Sequence, residues 1–169
     1  MEKDALQAVY RLLDIESIKQ LKARYCQYAD SGTQADEFAS LFTPTAILDE
    51  GDDGVYTGRD SIREMYNAIW PYFKLNQHLV LNPIIEVDGD KARGDWRLLQ
   101  LSTTVHPQGD RAFWACGYYK ERYLRVEGQW MFENVKARVH FCCDHEQGWG
   151  KAPWGELLPE EAMSALGLR

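Results

Sequence analysis

The spacing of apolar residues predicts a chain that begins with helices and ends with long strands. Apolar positions recur at three- and four-residue intervals over Asp4–Asp14 and over Ile15–Asp30, which predicts two consecutive amphipathic helices. We expect a third, short helix over Ala35–Phe42, ended by a Thr-Pro pair, and a fourth that begins near Asp60. The inward residues expected on these helices are Leu6, Val9, Tyr10, Leu13, Ile18, Leu21, Tyr25, Tyr28, Phe38, Leu41, Ile62, Met65, Tyr66, Ile69 and Trp70.

The second half of the chain follows the pattern of β-strands. Two short segments, Ala46–Asp49 and Val55–Thr57, flank a Gly-Asp-Asp-Gly turn and predict a hairpin. Four longer strands follow, and Pro83 predicts a bulge or an edge position in the first of them. Their predicted bounds are Leu75–Val87, Lys91–Val105, Phe113–Val126 and Gln129–Cys143. Helices followed by one antiparallel meander predict an α+β fold, whose twisted sheet curls around the helices and leaves a cavity.

Length and composition favour one globular domain over residues 1–169, with an irregular tail over 145–169 that holds a short helix near Glu160–Leu166. Hydrophobic residues make up 45% of the chain, and six Trp and nine Tyr indicate a thick core or an aromatic-lined cavity. The net charge of −7 argues against binding to nucleic acid or to anionic lipid. We therefore expect no nucleic-acid partner and no membrane partner.

The segments that would direct a chain to a membrane are not predicted. No apolar run approaches the roughly 18 residues that span a bilayer. The N-terminal residues Met1–Asp4 are charged and lack the apolar core of a signal peptide. We therefore expect a cytoplasmic protein whose four cysteines are free and mostly buried.

The residues that point to chemistry lie far apart in the sequence. Asp30 ends the second predicted helix, where the negative end of the helix dipole disfavours a carboxylate charge. His78 opens a strand-like run, and imidazole is a suitable partner because a carboxylate fixes its tautomer and stabilises its protonated form. If the fold brings the two together in a pocket, they form an acid–base dyad. Otherwise they are a turn residue and a strand histidine bonded to backbone.

Further residues are candidates for lining such a pocket. Tyr25 shares a helix face with Tyr28, so it is either a proton donor to a substrate or part of the core. Gln100 shares a strand face with Trp96 and Leu98, which indicates either pocket lining or a solvent-facing amide. The aromatic residues that could shape an apolar pocket are Trp70, Trp96, Tyr118 and Tyr119.

Two clusters look like metal sites but lack the expected spacing. His140, Cys142 and Asp144 share one strand face, whereas tight zinc sites usually take their ligands from two separated pairs. The carboxylate run at 49–53 lacks the spacing of calcium loops, so a solvated hairpin is favoured. The motifs of serine hydrolases, phosphate loops and dinucleotide-binding folds are absent. We predict no metal and no cofactor.

Several short motifs match one known family in their order and spacing. They are the stretch Ile18–Tyr25 that leads into Asp30, then Phe42–Ala46, Val55–Gly58, His78, Gly128–Trp130 and Gly148–Lys151. Together they cover nearly the whole chain and resemble the SnoaL-like branch of the nuclear-transport-factor-2-like superfamily. The resemblance implies a cone: a curved antiparallel sheet wrapped around N-terminal helices, with a pocket inside. It is more specific for the fold than for the reaction.

The resemblance also implies roles for individual residues. Dehydratases and a dehydrochlorinase of this branch remove a proton and a leaving group without a cofactor. Asp30 and His78 match the Asp–His dyad of the dehydrochlorinase, and Tyr25 with His78 matches a catalytic Tyr and His of a dehydratase. Gln100 departs from that dehydratase, which has a catalytic Asp there, and Arg138 matches a strand Arg of the family only if one residue is skipped.

The sequence thus predicts a cofactor-independent, dehydratase-like lyase or isomerase that acts on a hydrophobic, ring-containing small molecule. His78 is the expected base, Asp30 its partner, and Tyr25 the group that assists a leaving hydroxyl or developing oxyanion. The expected substrate-binding residues are Gln100, Trp96, Trp70, Tyr118 and Arg138. We expect a dimer or trimer. Two alternatives stay open: a non-catalytic β subunit of a ring-hydroxylating dioxygenase, and a binding module without turnover.

Overall fold

The computed structural model describes residues 2–165 and 167. Four α-helices and six strands lie within these residues. The helices are α1 (Glu2–Ala29), α2 (Ala35–Ser40), α3 (Arg59–Ile69) and α4 (Glu160–Ala165). The strands are β1 (Phe42–Asp49), β2 (Val55–Thr57), β3 (Phe73–Asp88), β4 (Lys91–Thr104), β5 (Arg111–Val126) and β6 (Gln129–Asp144). The predicted α+β class is confirmed.

The strands form one curved sheet in the order β2-β1-β6-β5-β4-β3. The four long strands are an antiparallel meander, and β1 joins β6 in parallel. The predicted hairpin of β1 and β2 is confirmed, with Ile47 opposite Thr57 and Asp49 opposite Val55. Since β2 and β3 stay at the two edges, the sheet is open, and α1 packs against its concave face.

Residues 4–29 lie in one helix rather than the two that the sequence predicts. The sequence around the Asp14–Ile15 boundary holds no Gly or Pro to break a helix, so the backbone hydrogen bonds of α1 continue through it. The predicted apolar stripe of its first half is wrong as a core face: its members are 49–59% exposed and are Leu6, Val9, Tyr10 and Leu13. Only the second half of α1 is buried, through Ile18, Leu21 and Tyr25.

Strand β1 begins earlier, and α2 ends earlier, than the sequence predicts. Phe42 pairs with Phe132 of β6, and the ladder then shifts register before Ile47 pairs with Asn134. This irregularity accommodates Pro44, which has no N–H to give to a ladder. Tertiary pairing with β6 therefore places Phe42, the expected last residue of the helix, in β1 together with residues 43–45.

The predicted bulge at Pro83 is confirmed. Register shifts between Leu81 and Ile84, and Asn82 adopts a left-handed conformation with φ of 51°. Strand β3 is also an edge strand, where a proline leaves no neighbouring carbonyl without a donor. The predicted last helix is observed as α4, and its predicted end, Leu166, lies outside the described residues. The four cysteines are free, as expected, and Cys26 and Cys143 are buried.

A buried ion pair sits among the aromatic residues of the core. Lys22 Nζ lies 2.6 Å from Glu121 Oε1, and both side chains are fully buried. Tyr123 donates a hydrogen bond to the other oxygen of Glu121. The Lys22 ammonium also lies 3.4 Å from the ring centroid of Tyr119 and 4.0 Å from that of Tyr25. Charge, hydrogen bond and ring contacts together link α1 to β5 beneath the cavity described next.

Candidate active site

Asp30 and His78 are in direct contact. Asp30 follows the last residue of α1, and His78 lies in β3 opposite Gln100 of β4. The His78 ring donates from Nδ1 to Asp30 Oδ1 at 2.5 Å, and its backbone N–H donates to Oδ2 at 2.9 Å. Both side chains are about nine-tenths buried, with 11% and 14% of their surface exposed. Since Nδ1 is held by the carboxylate, Nε2 is the ring nitrogen that remains for a ligand.

His78 lines an internal cavity of about 430 Å³. This volume is in the range of small-molecule sites, which is roughly 300–1,000 Å³. The walls are mainly apolar and aromatic, with contributions from α1, α2, α3 and the concave face of the sheet. Among the wall residues are Tyr25, Phe38, Tyr66, Trp70, Leu98 and Tyr119. Such walls suit a flat, hydrophobic ring.

A polar cluster on β3 and β4 lies beside His78 on the cavity wall. The side-chain oxygen of Asn76, Oδ1, accepts hydrogen bonds from Gln100 Nε2 at 2.7 Å and from Ser102 Oγ at 2.9 Å. These bonds use the acceptor of Asn76 and one donor group of Gln100. The Asn76 amide N–H groups and the Gln100 carbonyl oxygen are thus left to bind a polar group of a ligand.

The phenols of Tyr25 and Tyr119 are proton-bearing groups at neutral pH. Burial raises the pKa of each well above its usual value, and neighbouring negative groups add to the shift, while a hydrogen bond from Tyr25 opposes it at Tyr119. The Tyr25 ring meets the His78 ring edge-on with 6.4 Å between centroids. Tyr25 is therefore placed to donate a hydrogen bond within the cavity, although its ring also packs on Phe38 and Phe132.

Glu50 is a cavity residue that the sequence interpretation missed. It follows the last residue of β1, and burial raises the pKa of its carboxyl group to about 7; Asp53 adds to this shift and Lys22 opposes it. The run at 49–53 favoured a solvated hairpin. The signal that could have found Glu50 is the alternation of β1, because Ala46 and Leu48 are buried and Glu50 continues their face.

Three of the predicted substrate-binding residues line the cavity. They are Gln100, Trp70 and Arg138. The Arg138 guanidinium pairs with Asp49 through Nη2 and Oδ2 at 2.8 Å, which holds the pKa of that carboxyl below its usual value. Arg138 therefore reaches the cavity with part of its charge already engaged.

Trp96 and Tyr118, which were expected to bind substrate, lie elsewhere in the structure. Neither residue is part of the cavity wall. Trp96 is on the concave face, but its indole N–H donates to the Tyr123 hydroxyl at 3.0 Å within the core. Tyr118 follows Gly117 and precedes Tyr119, both inward, so strand alternation turns it to the outer face, where it packs on His140 at 5.5 Å.

The C-terminal segment forms part of the cavity wall, a role that its irregular sequence did not indicate. Trp154, Leu157 and Met163 line the cavity. Cys142 exchanges two backbone hydrogen bonds with this segment, and the Thr104 hydroxyl donates to the Leu157 carbonyl at 2.8 Å. The segment is thus fixed to β6 and β4.

Neither a metal centre nor a membrane helix is found in residues 2–165 and 167. No group of three or more His, Cys, Asp or Glu side chains there is arranged to hold a metal ion. No described helix combines the length and the apolar character needed to cross a bilayer.

The family resemblance extends to profile, sequence and structure comparisons. A family model described as a SnoaL-like domain matches residues 10–136. A cyclase candidate from Gibberella zeae is 25% identical over 130 residues, which cover 70% of this chain and 86% of that protein. Hexachlorocyclohexane dehydrochlorinase type 3 of Novosphingobium barchaimii superimposes with a TM-score of 0.73 at 24% identity, over 81% of this chain and 93% of that one.

A second solved structure gives the same result. It is a candidate scytalone dehydratase from Novosphingobium aromaticivorans, with a TM-score of 0.72 at 22% identity, over 79% of this chain and 89% of that one. At such identities the two structures are similar to this chain in fold alone.

Proposed function

Because this chain belongs to the SnoaL-like domain family, we propose that it is a cofactor-independent lyase or isomerase of the dehydratase type. Its substrate is a hydrophobic, ring-containing small molecule, and Asp30 with His78 is its acid–base dyad. The observation that carries the proposal is the 2.5 Å contact between His78 Nδ1 and Asp30 Oδ1 at the wall of an aromatic cavity.

His78 is the general base in this proposal. Asp30 keeps the proton on Nδ1, so the lone pair of Nε2 takes a proton from a carbon atom of the substrate. The imidazolium that forms is stabilised by the carboxylate charge at 2.5 Å. The second bond, from the His78 backbone to Asp30 Oδ2, keeps the carboxylate from rotating away.

Hydrogen-bond donors in the cavity stabilise the charge that the substrate gains. The carbanion next to a carbonyl group places negative charge on its oxygen, and the amide of Asn76 and the phenol of Tyr25 are the donors proposed for this oxyanion. Gln100 and Arg138 are proposed to orient polar substituents of the ring. Trp70 and the other aromatic walls hold the ring and exclude water.

The test is to replace His78 and to compare the result with a matched variant. His78→Ala is expected to lower kcat for dehydration of cyclic β-hydroxyketones by about 100-fold or more. Its thermal stability and its affinity for a cyclic ligand in the cavity are expected to stay close to those of wild type. His140→Ala removes an exposed histidine of β6 and is expected to retain full activity. A His78→Ala protein as active as His140→Ala would contradict the proposed function.

We also propose that the chain self-associates as a dimer or trimer. Apolar side chains exposed along α1 and on the edge strand β3 support this; they include Leu6, Leu12, Leu13, Leu79, Leu81 and Ile84. Light scattering during gel filtration tests the proposal, and a monomer at all concentrations would contradict it.

A further inference from the structure

We propose that Glu50 is the general acid of the same reaction and gives its proton to the leaving hydroxyl group. This inference rests on the proposed function, since it assigns the second half of the proton transfer to a residue of the same cavity. It adds a catalytic residue that enters the same cavity from the end of β1, three strands away from the strand of His78.

The first support is the position of Glu50. Its side chain is part of the cavity wall and continues the inward face of β1. Among the described residues, no hydrogen bond or ion pair holds its carboxyl group, whereas the neighbouring Asp49 is paired with Arg138. A carboxyl group that faces a cavity without a structural partner is available to a ligand.

The second support is the arrangement of Glu50 relative to His78. His78 enters the cavity from β3 at one edge of the sheet, while Glu50 enters from the end of β1, and three strands lie between. Tyr25 is near both. The centroid of its ring is 6.4 Å from that of the His78 ring, and the negative charge of Glu50 contributes to the raised pKa of its phenol. A ring bound against Tyr25 thus has a base on one side and a carboxyl group on the other.

The ionisation of Glu50 agrees with this role. Burial raises its pKa to about 7, so it carries a proton for part of the time at neutral pH and regains it readily. The Tyr25 phenol, whose pKa is raised well above its usual value, holds its proton more firmly and suits hydrogen-bond donation. The charged and titratable groups that act on or face Glu50 are Lys22, Tyr25, Asp49, Asp53, Tyr56, Tyr119 and Arg138.

The complete step balances in protons and electrons. His78 Nε2 takes the proton from carbon, and the electron pair of the broken C–H bond becomes the second bond of the new C=C group. The C–O bond breaks with its pair on oxygen, and Glu50 protonates that oxygen, which leaves as water. A proton passed from the His78 imidazolium to the Glu50 carboxylate through solvent restores both groups.

The first experiment measures the titration of Glu50 without any substrate. The side-chain carboxyl signals of isotope-labelled glutamate are followed by NMR against pH, and Glu50→Gln identifies the signal that disappears. A midpoint near 7 supports the proposal, and a midpoint near the ordinary value of 4.5 overturns it.

The second experiment varies the leaving group. The probes are a cyclic β-hydroxyketone, which must lose water, and its β-para-nitrophenoxy analogue, whose leaving group needs no proton. Glu50→Gln is expected to slow the first reaction by about 100-fold or more and the second by less than about threefold. Glu64→Gln, the same change at an exposed position of α3, is the matched control for both.

The two experiments separate this inference from the function on which it rests. Equal losses on both probes in Glu50→Gln, with full loss in His78→Ala, would overturn the role of Glu50 and leave the base in place. Full activity of His78→Ala would instead refute the proposed function. Thermal unfolding of Glu50→Gln checks that its fold is retained.

Discussion

Both oxygens of the Asp30 carboxylate are bonded to His78, one to the ring at 2.5 Å and one to the backbone N–H at 2.9 Å. Asp30 thus has two separable functions: it orients the imidazole, and it supplies a negative charge. Asp30→Asn keeps an oxygen that can accept the backbone hydrogen bond but removes the charge. We expect kcat to fall by about 100-fold or more with little change in thermal stability.

The control for this variant is Asp88→Asn, which makes the same change at an exposed position of β3. It is expected to have wild-type kcat. If Asp30→Asn also kept wild-type kcat, the carboxylate charge would have no part in the reaction, and His78 would have to act alone.

The Lys22–Glu121 ion pair is expected to be costly to break from one side. Lys22→Met leaves the Glu121 carboxylate buried without its counter-ion, so the free energy of unfolding should fall by about 3–5 kcal/mol. The double variant Lys22→Met with Glu121→Gln should recover most of this loss, because no unpaired charge remains. Urea denaturation measures both.

An exposed ion pair provides the comparison for that prediction. Arg93 and Glu86 are more than half exposed, so Arg93→Met should cost less than about 1 kcal/mol. A Lys22→Met protein as stable as Arg93→Met would show that the buried pair does not hold α1 against β5.

The raised pKa of Glu50 predicts a pH dependence of stability with a definite sign. The folded protein binds this proton more tightly than the unfolded chain between pH 4.5, the ordinary value, and about pH 7. The free energy of unfolding therefore falls as pH rises through this window, and the term is at most about 3 kcal/mol. Glu50→Gln lacks the term, so it should gain stability relative to wild type across the same window.

The free energy of unfolding of Glu50→Gln is measured at each pH and that of wild type is subtracted from it. The difference isolates the contribution of Glu50 from those of other carboxyl groups. Asp14 and Asp144, whose pKa values are lowered, contribute with the opposite sign but equally to both proteins. A stability difference that did not change with pH would contradict the assignment. Glu64→Gln is expected to give such a flat difference.

Gly117 is required where β5 passes close to β6. A Cβ atom there would lie 2.1 Å from the carbonyl oxygen of Arg138 and 2.8 Å from the Cα of Val139. Gly117→Ala must push the two strands apart beside the cavity, and we expect a loss of about 2–4 kcal/mol in the free energy of unfolding.

Gly150 is the matched position for Gly117. A Cβ atom at Gly150 meets nothing within 4 Å, so Gly150→Ala should change stability by no more than about 0.5 kcal/mol. Chemical denaturation of both variants makes the comparison, and a tolerated Gly117→Ala would show that the register shift after Cys116 is not fixed by close approach.

The sequence predicts much of this fold because its signals are local. Alternation and turn residues locate the long strands, and Pro83 marks the bulge in β3. The continuity of α1 was missed because its two halves each carry an apolar stripe and were taken as separate helices. The stripe of the first half is exposed, so spacing alone did not show that it has no partner in the core. The start of β1 depends on pairing with β6, a contact that propensity around Pro44 does not encode.

Site residues could be predicted from the sequence only where the side chain itself suggests acid–base chemistry. The order of Asp30 and His78 in the family resemblance brought them together as candidates. Tyr118 and Tyr119 are adjacent, and a period of two does not say which of them faces inward. Glu50 stood in an acidic run, whose usual state is solvated, and only burial by the closed fold distinguishes it from Asp52.

The most direct test of the account is proton exchange at carbon catalysed by His78. β-Tetralone, a ring ketone whose benzylic C–H group next to the carbonyl is acidic, is incubated in heavy water with wild type, His78→Asn or His140→Asn, and deuterium incorporation is followed by NMR. We predict that wild type and His140→Asn exchange the proton at least about 100-fold faster than His78→Asn. Equal exchange by wild type and His78→Asn would contradict the claim that His78 removes a proton from carbon.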